Sequence, residues 1–133
     1  MREIKFRGKS TVFGKGWRYG YLTVAVGGKG KWFKITNPNA PNCYDPEVDP
    51  ETVGEFTGFK DIDDKEIFEG DIIQNDEHPE EVGKIINENG CWLVDWVDDD
   101  TKPCLGWLLD NTPQKVIGNI FDNPELLEVG NDG

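Results

Sequence analysis

Short runs in which hydrophobic and polar residues alternate cover most of this 133-residue chain. A period of two is typical of β-strands, whose successive side chains point to opposite faces of a sheet. The 16 glycines and 8 prolines indicate many turns between these runs. The pattern predicts a mainly β protein with strands at residues 3–7, 17–26, 31–36, 52–59, 65–68, 72–74, 82–87, 91–97, 105–109 and 115–121.

The second predicted strand changes its hydrophobic face partway along. Such a change indicates a bulge or packing from two sides. Glycines at positions 27, 28 and 30 predict a turn after this strand, so residues 17–36 form an amino-terminal β-hairpin. In the first half of the strand, the aromatic residues Trp17, Tyr19 and Tyr21 share one face. In the second half, the aliphatic residues Leu22, Val24 and Val26 lie on the opposite face.

Two local signals mark structure in the second half of the chain. The Asn-Gly pair at positions 89–90 predicts a tight hairpin turn, because both residues tolerate a positive φ. On the following strand Trp92, Val94 and Trp96 share one face, which we expect to lie in the core. Pro124 follows a capping residue and precedes an acid, a combination that predicts a short carboxy-terminal helical turn.

The segment from Asn37 to Pro50 contains four prolines, each of which removes a backbone hydrogen-bond donor. We therefore expect a loop here, without a regular interior element, and a boundary between two subregions. The predicted organisation is a basic amino-terminal β region with a proline-rich connector at residues 1–50, followed by an acidic β-domain at residues 51–133. The closely spaced strands after residue 60 suggest a small barrel.

Charge is divided unevenly along the chain, whose net charge is −12. Residues 1–42 carry nine basic side chains and one acidic side chain, whereas the remainder carries five basic and 25 acidic side chains. In one interpretation the basic segment packs on the acidic body and is neutralised within the fold. In the other, either surface meets a charged partner, since an acidic surface can imitate nucleic acid and a basic segment can contact phosphate.

The sequence favours a cytoplasmic protein with no membrane association. Its first ten residues lack the apolar core of a secretory signal, and no run approaches the roughly 20 apolar residues that cross a bilayer. The three cysteines, Cys43, Cys91 and Cys104, are odd in number and widely spaced. We interpret them as free thiols.

Residues that carry catalysis or bind metals are few and poorly placed. The single histidine, His78, lies in a polar loop with nothing in the sequence to position it, so we interpret it as solvated. Zinc binding by His78 and the three cysteines lacks the paired ligand spacing of structural zinc sites. A calcium loop that starts at Asp61 would need glycine and glutamate where this chain has Glu66 and Ile72. We expect no metal and no cofactor.

Aromatic and basic residues are interleaved in the amino-terminal hairpin. Proteins that bind single-stranded nucleic acid combine such rings, on which bases stack, with cations that contact phosphate. The other interpretation places these rings in the amino-terminal core and the lysines on the solvent face, since aromatic residues in strands are generally buried. The candidate binding residues are Trp17, Arg18, Tyr19, Tyr21 and Trp32.

Five blocks of the sequence, taken in order, resemble the YopX family: MREIKFRG, GWRYGYL, VDPETVGEFTGFKD, KEIFEGDII and VIGNIFDNPELLE. The resemblance covers most of the chain and is weakest from Thr101 to Gln114. It implies a bacteriophage or prophage origin, a cytoplasmic location in a bacterial host, and a β-rich fold with a carboxy-terminal barrel of the Src homology 3 type. The family's biochemical role is not established, so the resemblance implies no catalytic residues.

Three hypotheses about function follow. The first is a non-enzymatic accessory or protein-interaction module that binds a host or phage protein, or itself as a homo-oligomer. The second is a nucleic-acid-binding protein, or a DNA mimic that acts on host DNA-binding proteins. The third is an enzyme that uses an acidic pair such as Glu69 and Asp71, which the absence of positioned partners in the sequence disfavours.

Overall fold

The structure, a computed structural model, describes residues 4–12, 16–28, 30–37 and 47–128. As predicted, these residues form a mainly β protein with little helix. The chain divides into two compact units, Met1–Phe56 and Thr57–Gly133. The strands are β1 (Phe6–Lys9), β2 (Trp17–Gly27), β3 (Gly30–Thr36), β4 (Glu47–Val48), β5 (Gly54–Lys60), β6 (Glu66–Phe68), β7 (Asp71–Asn75), β8 (Val82–Glu88), β9 (Cys91–Trp96) and β10 (Gln114–Asn119). The α-helix is α1 (Leu105–Asn111), and Pro50–Thr52 and Pro124–Leu127 are short 3₁₀ helices.

The first unit is an antiparallel arrangement in which β4, β3, β2, β1 and the start of β5 are neighbours in that order. A bridge between Ser10 and Val48 also joins β4 to the end of β1, so strands β1 to β4 form a small closed ring. Ile35 and Val48 are fully buried in its centre. Both lie against Gly8, where a Cβ atom would come within 3.1 Å of each. Glycine there lets the two apolar side chains pack onto the β1 backbone.

Strand β2 changes its pairing partner at Gly20. Residues 17–20 pair with β1, and residues 21–27 pair with β3 in the predicted hairpin. Gly20 has a φ of +149°, and a Cβ atom there would lie 2.1 Å from the carbonyl oxygen of Thr36. Only glycine fits this backbone position. The irregularity lies where the sequence predicts the change of hydrophobic face.

The second unit contains a four-stranded antiparallel sheet with the order β10-β7-β8-β9, and β6 lies beside the end of β5. Its core includes Trp92 and Val94, as the alternation on β9 predicts, and Trp96 packs against this core. The Asn-Gly turn at positions 89–90 joins β8 to β9, with a positive φ at both residues. The remaining buried members of the core are Ile67, Ile73, Ile85, Leu105 and Leu108.

The strand predicted at Leu105–Leu109 is wrong, because these residues form helix α1. Leu105 and Leu108 are buried, and Leu109 packs against the same core, whereas Trp107 is 61% exposed. Positions i, i+3 and i+4 share one face of a helix, so the helical period was present in the sequence. A run of only five residues does not separate it clearly from alternation.

Other sequence predictions differ from the structure in extent. Strand β1 begins at Phe6, and Ile4 is 62% exposed, so the predicted half-buried strand does not include Ile4. The proline-rich connector contains β4 and a 3₁₀ helix, contrary to the expectation of no regular element, and its residues 38–46 lie outside the described residues. The predicted helical turn is the 3₁₀ helix Pro124–Leu127. The Src homology 3 type of the barrel remains a prediction.

Two further expectations concern thiols and membranes. Cys91 and Cys104 are exposed free thiols, as predicted, and Cys43 lies outside the described residues. Within the described ranges, no helix is long and apolar enough to cross a membrane.

Candidate functional site

The aromatic candidates of the amino-terminal hairpin do not form one compact platform. Trp17 lies opposite Lys9 at one end of β2, and the guanidinium of Arg7 lies 4.8 Å from its ring centroid. Trp32 lies opposite Ala25, and its ring covers Gly27 beside the hairpin turn. The backbone positions at which these two tryptophans are anchored lie eight residues apart along β2, which spans at most about 26 Å. A short stretch of stacked bases would not contact both.

The five candidate binding residues also differ in their exposure to solvent. Tyr19 and Tyr21 are 45% and 57% exposed, so the interpretation of these two rings as core residues is wrong. Trp17, Arg18 and Trp32 are half-buried. Arg18 alternates with Trp17 and Tyr19 along β2 and therefore points to the opposite face. Whether the five candidate residues bind a ligand remains a prediction.

A groove of about 440 Å³ in the second unit combines exposed aromatic surface with acidic side chains. Three chain segments build it: the start of β8 with the preceding loop, the end of β9 with the following loop, and helix α1. This volume is in the range of sites that hold small ligands or a few side chains of a peptide. Its lining residues are Glu80, Glu81, Val82, Trp96, Asp98, Asp99, Thr101, Pro103, Trp107 and Leu108.

Trp96 is positioned by the pairing of β8 with β9. It lies opposite Gly83, and a Cβ atom on Gly83 would come within 3.0 Å of the Trp96 ring and 2.7 Å of a Val94 methyl. The ring therefore lies across the β8 backbone, where any larger residue would displace it. The backbone hydrogen bond from Val97 to Val82, 3.0 Å long, continues the pairing beyond Trp96.

Trp107 lies on the solvent side of helix α1 and is 61% exposed, whereas the adjacent Leu108 is buried. The chain before the helix is fixed to β9 by the backbone hydrogen bond from Val94 to Pro103. At the other end the Thr112 hydroxyl donates to the carbonyl of Leu108 over 2.7 Å. The bond from Thr112 closes the last turn of the helix, and the burial of Leu105 and Leu108 holds the helix on the core, so Trp107 is presented on a fixed backbone.

The loop that carries Glu80 and Glu81 is organised by Asn75, which is 97% buried with 3% of its surface exposed. The Asn75 carboxamide oxygen accepts hydrogen bonds from the backbone N–H groups of Glu77 and His78, and its amide nitrogen donates to the Glu81 carboxylate over 3.0 Å. The backbone N–H of Asn75 donates to the carbonyl of Glu81. The acidic rim on this side is therefore held by a buried side chain.

Asp98 and Asp99 supply the acidic groups on the other side of the groove. An Asp99 carboxylate oxygen accepts the backbone N–H of Thr101 over 2.9 Å, which shapes the loop. The neighbouring cation, Lys102, forms an ion pair with Glu88 over 3.2 Å and does not line the groove. The hydrogen bond from Lys102 to Glu88 raises the pKa of this lysine. The groove is therefore lined by four acidic residues and no basic residue.

The geometry suits an apolar chain with a cationic end. The faces of the two tryptophans attract alkyl groups and cations, and the carboxylates accept charge-assisted hydrogen bonds. The ligand atoms of His78, Glu80 and Glu81 lie within 4.8 Å of one another, but all three side chains are exposed. The Asn75 side chain already binds Glu81, so the structure of the loop accounts for the proximity of these three side chains.

The groove was not predicted from the sequence. The alternation on β9 predicts Trp96 in the core, and Trp107 lies in a segment predicted as a strand. The one available signal was the helical spacing around Trp107, which leaves that ring on the side opposite the buried leucines. No local pattern brings Glu80 close to Trp107, because they meet only through the pairing of β8 with β9 and the packing of α1.

Two solved structures resemble this chain. One is the protein yopX from Bacillus subtilis, with a TM-score of 0.54 and 22% sequence identity over 96% of this chain and all of that chain. The other is a protein from Enterococcus faecalis, with a TM-score of 0.56 and 25% identity over the same shares. No curated protein matches the chain in sequence. The family model of the YopX protein matches residues 5–128, which include every residue of the groove, and the chain therefore belongs to the YopX family.

Proposed function

We propose that this protein is a non-enzymatic interaction module that binds a short basic segment of a partner protein in the groove of its second unit. The observation that carries the proposal is the 61% exposure of Trp107, beside Trp96, in a groove lined by four acidic side chains. Large exposed aromatic side chains in concave sites are typical of binding surfaces. The acidic lining selects for cations.

Lysine and arginine match both parts of this groove. Their aliphatic stems cover apolar surface while their charged ends remain near water or an acid. A cation over a tryptophan face contributes about 0.5–2 kcal/mol, and each exposed ion pair contributes about 0–1 kcal/mol. Two cation–π contacts and three ion pairs sum to about 1–7 kcal/mol, so we expect a dissociation constant of about 1 mM for a short peptide and none below about 10 µM. Tighter binding would need further contacts from a folded partner.

The family supports a host or phage protein as the partner, because the resemblance implies expression from a phage or prophage in the bacterial cytoplasm. The lining of the groove contains no histidine, cysteine or lysine, the side chains that most often act as bases or nucleophiles. We therefore favour binding over catalysis for this site.

Titration of the full-length, nitrogen-15-labelled protein with end-blocked tetralysine and tetraarginine tests the proposal directly. The chain contains five tryptophans, whose indole N–H groups give separate NMR signals. We expect the signals of Trp96 and Trp107 to shift in a saturable way, while that of the buried Trp92 stays unchanged. End-blocked tetraglutamate is the control. Shifts confined to Trp17 and Trp32, or no saturable shift at all, would contradict the proposal.

Substitutions assign the binding energy to the two halves of the groove. Trp107→Ala should weaken tetraarginine binding about tenfold, about 1.4 kcal/mol, with little change in stability because the side chain is mostly exposed. The double substitution Asp98→Asn/Asp99→Asn should weaken it at least threefold. Asp63→Asn/Asp64→Asn is the matched control, since it removes the same charge from an exposed turn of the same unit. Equal losses of tetraarginine affinity in the two double variants would indicate non-specific charge attraction.

A second candidate function is nucleic-acid binding, which the exposure of Tyr19 and Tyr21 on the basic amino-terminal unit favours. A mobility shift with single-stranded DNA that weakens steeply with salt, and is lost in Tyr19→Ala/Tyr21→Ala, would support it. Imitation of DNA by the acidic unit would instead appear as competition with DNA for a basic DNA-binding protein. No shift and no competition would leave peptide binding as the function.

A further inference from the structure

Strand β2 has an unpaired edge along its second half. Residues Tyr21–Gly27 pair with β3 on one side, whereas β1 pairs only with residues 17–20 on the other side. Among the described residues, no backbone hydrogen bond reaches the outer edge of Tyr21–Gly27. The change of partner falls at Gly20, which has a φ of +149° and pairs with Phe6, the first residue of β1. A row of outward N–H and C=O groups is therefore available to another strand.

This edge lacks the features that normally protect edge strands. Natural edges carry charges, prolines or bulges that prevent pairing with a second chain. From Tyr19 to Gly28 the sequence YGYLTVAVGG contains no charged residue and no proline. That is unusual in a segment of 42 residues with ten charged side chains. The longest uncharged run of this segment therefore coincides with the strand whose edge is open.

One face of the same strand is apolar and partly exposed. Leu22, Val24 and Val26 share a face and lie opposite Ile35, Phe33 and Lys31 of β3. Ile35 is fully buried, whereas Val24 is 46% and Val26 is 73% exposed. The apolar stripe thus begins in the core of the first unit and continues outward along the hairpin.

We infer that β2 binds β2 of a second copy of this protein, as an antiparallel pair about a twofold axis. In such a pair, even-numbered residues of one copy lie opposite even-numbered residues of the other. Val24 therefore lies opposite Val24 of the second copy, and Leu22 lies opposite Val26. The apolar stripe of one copy extends that of the other. The inference is independent of the proposed peptide groove.

Charge favours a second copy over a charged partner strand. The chain carries a net charge of −12, so most contacts between copies would place like charges together. Pairing along Tyr21–Gly27 brings no charged residue of one strand opposite a charged residue of the other, since neither strand has one. A contact of seven residues per strand buries less than the about 1,200 Å² of stable complexes. We therefore expect a reversible dimer with a micromolar dissociation constant.

Sedimentation velocity of the full-length protein from about 1 µM to about 1 mM tests the inference. We expect a monomer–dimer equilibrium for the unmodified chain. Val24→Lys and Val26→Lys, which place a charge on the exposed edge, should each raise the dissociation constant at least tenfold. Ile62→Lys is the matched control: it adds the same charge at a residue of the second unit that is 48% exposed, and it should leave the dimer unchanged.

Hydrogen exchange of the unmodified protein gives a measurement that does not depend on variants. Amides of residues 21–27 that point away from β3 should exchange at least fivefold more slowly at high than at low protein concentration, while those of the turn at 89–90 should not change. A monomer at every concentration would overturn the inference. So would a dimer that Val24→Lys leaves intact, or one that Ile62→Lys disrupts equally.

Discussion

Asp61 is buried although it begins an acidic turn, with 8% of its surface exposed. One carboxylate oxygen accepts the backbone N–H groups of Asp63 and Lys65, both over 2.9 Å, and the other accepts that of Val116 over 2.9 Å. The last of these joins the turn to β10, 55 residues further along the chain. The density of acids that suggests a calcium loop in the sequence is therefore explained, at Asp61, by hydrogen bonding within the fold.

Asp61→Asn should lower the free energy of unfolding by about 1–3 kcal/mol. The new amide group presents N–H donors to backbone donors, so at least one buried hydrogen bond is lost and a donor is left unsatisfied. Urea denaturation of the full chain measures the change. Asp63→Asn is the control, because its side chain is exposed and the same charge is removed. Equal stability of the two variants would refute a structural role for Asp61.

At the scale of elements, the pairing of β8 with β9 shapes the groove. Gly83 has an ordinary φ, so the reason for glycine there is space: the Trp96 ring and a Val94 methyl occupy the position of a side chain. The sequence shows a glycine inside a predicted strand, which indicates close approach of another group. It does not identify that group, because register and packing place Trp96 there.

Gly83→Ala should destabilise the protein by about 1–3 kcal/mol and displace the Trp96 ring, because the added methyl would lie 2.7 Å from Val94. Thermal unfolding measures the first effect, and a shifted Trp96 indole signal measures the second. Gly28→Ala serves as the comparison, since an added Cβ there meets nothing within 4 Å and the backbone is unstrained. An unchanged Trp96 signal in Gly83→Ala would contradict the packing argument.

Helix α1 shows where element prediction from sequence failed. A five-residue apolar run fits both the period of a strand and that of a helix, so the local pattern does not separate the two. The helix is stabilised by burial of Leu105 and Leu108 and by the packing of Phe59 near Gly106, where a Cβ atom would lie 3.1 Å from that ring. These contacts come from distant parts of the chain and override local propensity.

At the scale of the whole molecule, charge follows the division into units. Residues 57–133 carry 20 acidic and five basic side chains, a net charge of −15, whereas residues 1–56 carry six acidic and nine basic side chains, a net charge of +3. Several ion pairs of the second unit are exposed, such as Lys60–Asp64 at 3.7 Å and Lys115–Asp76 at 3.2 Å, and contribute little each. Repulsion among the remaining acids therefore dominates its electrostatics.

Sodium chloride should stabilise the protein. At about 1 M salt the screening length falls to about 3 Å, so repulsion within the acidic unit is largely removed. We expect the melting temperature to rise by about 4 °C between low salt and 1 M, which corresponds to about 1 kcal/mol. Removing four acids by Asp63→Asn, Asp64→Asn, Asp98→Asn and Asp99→Asn together should flatten this dependence. A melting temperature that falls with salt would show that attractive ion pairs dominate.

The β character, the hairpins at residues 17–36 and around the Asn-Gly turn, the carboxy-terminal helical turn and the family follow from the sequence alone. These depend on alternation, on turn residues and on blocks of sequence, all of which are local. Four further features follow only from the folded chain: Asp61 is structural, Tyr19 and Tyr21 are exposed, residues 105–111 form a helix, and Trp96, Trp107 and four acids share a groove. Burial and proximity arise between residues far apart in the chain, and no local pattern records which distant side chains will meet.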